Sequence, residues 1–220
     1  MTQAAIIRRS SFLKRNPNHT REAFSRYYEA SHGPLAASLP GFRKHTVRYV
    51  QNHVENHAGH SLPFDGITIT TQVPRKDYSV GFFNEPDYER IKDDEVYLFD
   101  VSRAVSVLGD VIEGPLAPQD GFKAVFLAGA GWVAPRDFRV EGATTHALSR
   151  CDLSTATALG FRNSAFGHPH MIEAWFRTRD ARDGAVARSD RLAGAGSIAM
   201  PVREVLIFGP EKPWPSDASA

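Results

Sequence analysis

The chain has 220 residues, 42% of them hydrophobic and 23% charged, which is enough apolar material for a globular core. Twenty-six basic against 25 acidic residues leave a net charge of +1 without a long block of either sign, so no nucleic-acid footprint is visible. No window approaches the ~20 apolar residues of a membrane span, Arg8 and Arg9 break any signal-like run, and the single Cys151 rules out an internal disulfide framework.

These features suggest a cytoplasmic protein, and the elements follow in order. Residues 4–12 read as a strand, and Asn16, Pro17, Asn18 and Thr20 as a turn and helix cap. Residues 21–31 place Phe24, Tyr27, Tyr28, Ser31 and Leu35 at helical spacing, and Gly33 and Pro34 are expected to end that helix. Residues 47–54 read as a strand with Tyr49, Gln51 and His53 on one face. Residues 64–73 alternate Ile and Thr as a third strand, 74–94 are charged and helical, and a fourth strand ends at Gly114. Strand, helix, strand, strand, helix, strand is the split βαβ order of ferredoxin-like folds.

Residues 116–121 have the composition of a linker, after which the pattern returns. Residues 122–130, 142–151, 170–178 and 202–209 read as strands and 179–191 as a helix, while Pro135 spoils the position of the earlier helix. The expected fold is therefore α+β, two ferredoxin-like repeats with antiparallel sheets. The domains would be 1–114 and a degenerate 122–210, followed by a loose tail at 211–220 in which Trp214 offers an anchor.

The segment from Tyr28 through His32, Gly33, Pro34 and Leu35, then Leu39, Pro40 and Gly41, then Gln51, Asn52 and His53, and Phe64, Asp65 and Gly66 resembles the EthD family. The likeness covers residues 5–114 and is weaker afterwards. Tyr28 stands where tryptophan is common, and residues 44–47 look like an insertion before the strand. The resemblance implies a dimeric α+β barrel, formed by sheets paired within a chain or between chains. Relatives of this architecture include cofactor-free monooxygenases, lactone isomerases, polyketide cyclases, dehydratases and decarboxylases, so fold alone does not fix the chemistry.

Nine histidines stand out, because imidazole exchanges protons near neutrality without a cofactor. If the face carrying Tyr49, Gln51 and His53 points into the barrel, His53 or His32 is the candidate base and Tyr49 a catalytic partner. Gln51, Tyr28, Asn52, His146, His168 and His170 are then candidate substrate contacts. His53, His57 and His60 have the spacing H-x3-H-x2-H, but the intervening Asn56, Gly59 and Ser61 make a loop, so no metal is expected. No nucleotide fingerprint or nucleophile elbow is present. The expectation is a cofactor-independent homodimeric enzyme, a lyase or isomerase acting on an aromatic or polyketide-like small molecule. The alternative is a non-catalytic ligand-binding or accessory protein of an oxidative degradation pathway.

Overall fold

The structure is a computed structural model that describes residues 6–56, 62–75, 81–158, 161–162 and 166–215. The first half runs β1 (Ile7–Leu13), α1 (Arg21–Tyr27), a wide π turn (Tyr28–His32), α2 (Gly33–Ser38), α3 (Pro40–His45), β2 (Thr46–Val54) and β3 (Gly66–Gln72). Two 3₁₀ turns (Phe82–Asn84 and Pro86–Tyr88), α4 (Glu89–Leu98) and β4 (Val105–Glu113) complete it. The second half comprises β5 (Phe122–Leu127), β6 (Ala143–Ala158), β7 (Phe161–Arg162), β8 (His170–Phe176), α5 (Arg179–Ala187), α6 (Ser189–Ala193) and β9 (Ile198–Phe208).

Thr20 caps α1 by accepting from the Ala23 amide at 3.1 Å. Gly33 and Pro34 do not stop the chain there. Pro34 lies in the first turn of α2, where its missing N–H costs nothing, and the π turn carries the backbone across. At the start of β2 the register with β3 shifts between Thr46 and Arg48, with Val47 turned to solvent.

The strands lie in the order β4-β1-β3-β2 in the first half and β9-β5-β8-β6 in the second. β2 pairs with β9 and β4 with β6, so eight antiparallel strands close into one barrel, and β7 pairs only with β6. This corrects the expected α+β fold of two ferredoxin-like repeats with their own sheets. The chain forms a single closed antiparallel β-barrel with few helices. Each half-sheet alone would leave two edges of unpaired backbone groups, and joining them pairs those edges with each other. The 16-residue β6 is long enough to pair with β8 and β4 together. No helix joins β5 to β6, where Pro135 lies in irregular backbone.

The barrel interior is apolar at its centre, with Phe12, Val54, Ile67, Val107, Leu127 and Met200 in one buried cluster. The same inward alternation brings Arg8, Lys123, Glu173 and Glu204 together. Lys123 Nζ pairs with Glu173 Oε2 at 2.6 Å and also with Glu204, while Arg8 pairs with Glu173. Trp175 Nε1 donates to Glu204 at 2.8 Å, and Arg8 reaches the carbonyls of Pro115 and Leu116 between the halves. Burial by itself would raise the Glu173 carboxyl, but Lys123 and Arg8 hold it below the usual carboxylate range. The helices cover the outside. Phe24, Tyr28, Leu98 and Phe99 pack over the first half, and Phe126, Ile172, Phe176 and Val186 over the second. Trp214 packs beside Ile207 and Phe208.

Candidate active site

Tyr49, Gln51 and His53 do share one face of β2, but that face points outward, beneath the helices. Gln51 Nε2 donates to the Tyr28 carbonyl at 2.7 Å and to the Tyr49 hydroxyl at 2.9 Å, and His53 Nδ1 lies 2.7 Å from the Ser25 hydroxyl on α1. The alternate set on β2, which includes Val54, fills the barrel. Both sets are buried.

Between the outer face of β1, β3 and β2 and the overlying helices lies a cavity of about 70 Å³. That is space for roughly five to seven water molecules, at 10–15 Å³ each. Phe42, Phe82, Phe83, Ile91 and Phe99 form its apolar walls, and His32, Glu95, Tyr49, Thr68 and Arg9 its polar positions. Five elements deliver these polar groups: the π turn ends at His32, α4 supplies Glu95, β2 supplies Tyr49, β3 supplies Thr68 and β1 supplies Arg9.

His32 is held through Nδ1 by Asp94 Oδ2 at 2.6 Å, and the other Asp94 oxygen accepts from the Tyr27 hydroxyl at 2.6 Å. Burial alone would raise the Asp94 carboxyl, but the bonds from His32 and Tyr27 carry it below its ordinary value. The next residue behaves oppositely. Burial, with Asp94 adding to it, pushes the Glu95 carboxyl above the usual range, although His32 and a 2.8 Å bond from Tyr88 oppose that. With Nδ1 engaged, Nε2 is the ring nitrogen of His32 left to exchange a proton with a ligand.

The other expected site residues are dispersed. His53 lines a separate open groove with Ser25, Glu29 and Arg203, and its buried Nε2 has no bond partner. Burial, reinforced by Arg203, lowers its pKa to about 4, so its ring is neutral near pH 7. Tyr28 is fully buried between Phe24 and His53, with its hydroxyl on Thr68. Asn52 is buried against the Ile67 carbonyl at 3.3 Å. In the second half, His146 bonds Glu113 at 2.6 Å, His168 donates to the Ala128 carbonyl at 2.9 Å, and His170 packs on Trp132. None of these three lines the cavity. Cys151 sits in the barrel core with its thiol pushed up to about 12 by burial. Among the described residues no three His, Cys, Asp or Glu side chains converge as metal ligands; His57 and His60 lie outside those residues.

Residues 16–102 match the family model of the EthD domain, the segment that holds His32, Tyr49, Asp94 and Glu95. The likeness to the EthD domain is confined to that segment. This agrees with the sequence resemblance, and the matched segment supplies the cavity wall except for Arg9, Ser11 and Leu13 of β1. No curated protein matches the chain. Among solved structures, that of a protein provisionally named a chlorite dismutase is similar at 10% identity and a TM-score of 0.44, covering 90% of this chain and 95% of the other. A likeness that loose carries no argument about activity. No helix in the described residues is long and apolar enough to cross a membrane.

Sequence reasoning missed Asp94, Glu95, Thr68 and Arg9. One signal was available. Ile91, Glu95 and Leu98 follow the i, i+4, i+7 spacing of a buried helix stripe, and an acid within such a stripe calls for a partner or a task.

Proposed function

We propose that the EthD-like segment is a small-molecule acid–base site in which His32 takes a proton from carbon next to a carbonyl, or from a phenol. The observation that carries this reading is the pair of consecutive carboxyls beside one imidazole. Asp94 is shifted down and Glu95 up, the separation that lets one carboxyl stay ionised while the other stays closer to its neutral form. Asp94 would orient His32 and stabilise the imidazolium that forms, and Glu95 would be placed to return a proton. The Tyr49 hydroxyl already accepts from Gln51, which leaves its own proton for the oxygen on which charge develops. The surrounding phenylalanines exclude water and favour an apolar ring. Such a site performs isomerisation, elimination or decarboxylation without a cofactor. Pairing of two copies, as expected from the sequence, belongs to the same proposal.

The experiment is deuterium uptake in D₂O at the carbon next to the carbonyl of small cyclic ketones such as cyclohexanone, followed by proton NMR. The wild-type protein is expected to accelerate uptake, and His32→Asn to lower that rate roughly 10²–10⁴-fold. Equal rates for wild type and His32→Asn would remove His32 from the chemistry.

A further inference from the structure

We infer that this cavity takes a small molecule bearing a carboxylate, and that Arg9 holds that carboxylate. The inference rests on reading the cavity as the ligand site and names the class of ligand it admits.

Arg9 lines the cavity from β1, where it pairs across to Thr70 of β3 and Leu108 of β4. Its guanidinium lies over the Phe83 ring, 5.3 Å from the centroid, and makes one long bond of 3.4 Å to the Ser106 hydroxyl. Among the described residues no carboxylate lies within ion-pair distance of it. The adjacent Arg8 has Glu173 as its partner. A second cation faces Arg9 instead. A Cβ on Gly81 would stand 3.6 Å from Arg75 Nη2 and 3.9 Å from Arg9 Nη2, so both guanidinium tips border the same small space. Arg75 is itself tied to His45, which bonds Glu85 at 2.6 Å.

Burial and the neighbouring Arg75 lower the Arg9 pKa to about 10, the effect expected of a cation taken out of water without a counter-ion. Among the described residues Glu95 is the one acid on the cavity wall, and it accepts from Tyr88 rather than from Arg9. An incoming carboxylate meets the two forward-facing donors of a guanidinium in its preferred planar geometry. The Thr46, Thr70 and Gln72 side chains, also on the wall, make the sheet floor polar.

Crotonate, with six heavy atoms, suits the volume, and crotonamide is its neutral counterpart. Titration of each into the full chain by isothermal calorimetry compares anion with amide. Crotonate is expected to bind with a Kd of about 1–10 mM, reasonable for so few atoms, and the amide roughly 10–100-fold more weakly, the worth of a charge-assisted bond. Arg9→Gln should remove that preference and Arg9→Lys restore part of it. Equal binding of the two probes, no crotonate binding at about 10 mM, or an Arg9→Gln protein with wild-type preference would each overturn the inference. The comparison on wild-type protein needs no variant, so it stands even if Arg9→Gln fails to fold. Because it reads binding alone, its outcome is separate from that of the exchange assay: ketone exchange dependent on His32 without carboxylate preference sinks this inference and leaves the acid–base reading.

Discussion

Two histidines in neighbouring places illustrate how environment divides one chemistry. His32 has a carboxylate on Nδ1, a cavity at its ring and Glu95 nearby, whereas His53 has a serine hydroxyl on Nδ1, burial and the Arg203 charge. His53 therefore carries a pH signature. Its folded pKa of about 4 lies below the ordinary 6.5, so the unfolded chain takes up the proton first as pH falls. The stability is complete above pH 6.5 and is lost as pH drops toward 4, by on the order of 2–3 kcal/mol at 1.36 kcal/mol per unit. His170 shifts the same way, so the difference between wild type and His53→Asn isolates the contribution. Urea unfolding at pH 7 and pH 4.5 should show a smaller loss in His53→Asn, and equal losses would contradict the assignment. Asp94→Asn should slow ketone exchange by at least about tenfold, since an amide holds the ring less firmly and no longer stabilises its charge. An unchanged rate would mean that Asp94 only supports Tyr27 and α4.

At the scale of elements, the strands were legible because alternation and turn residues mark them directly. The side that β2 turns to the barrel was not. Val50, Gln51, Asn52, His53 and Val54 are all buried, so polarity does not distinguish the faces, and only the helices' own polar groups, the Tyr28 carbonyl and the Ser25 hydroxyl, select the outer one. The π turn was equally hidden, since Gly-Pro reads as a stop unless Pro34 falls in a first turn. The same close fit governs the cavity wall. Gly41 opens α3, its amide donates to Asp87 at 2.8 Å, and a Cβ there would lie 2.2 Å from Asp87 Oδ1 and 2.7 Å from Glu85 Cβ. Gly41→Ala should therefore cost about 1–3 kcal/mol by overpacking. It should also loosen the 3₁₀ turn that carries Phe82. Thermal unfolding within about 0.5 kcal/mol of wild type would show that the turn gives way freely.

For the whole molecule, whether the sheets close within one chain or between two is what the sequence left open. Strand signals recur on either side of residues 116–121, but nothing local records that β2 meets β9 or that β6 is long enough to reach β4. The interior charges report on that closure, because Arg8, Lys123, Glu173 and Glu204 come from four strands of both halves. Lys123→Met would leave Glu173 with Arg8 alone and Glu204 with only the Trp175 N–H, and should destabilise the fold by about 3–5 kcal/mol, as loss of one partner from a buried ion pair does. A change below about 1 kcal/mol in urea unfolding would show that water or relaxation relieves those carboxylates.

The position of the ligand is the most direct question. It is answered by ¹⁵N imidazole NMR of histidine-labelled protein titrated with cyclohexanone and crotonate, with resonances assigned through His→Asn variants. The expected result is that the His32 Nε2 resonance moves with saturation while those of His53, His146 and His168 stay in place. Movement of His53 with a silent His32 would contradict the assignment of the site to the cavity between sheet and helices.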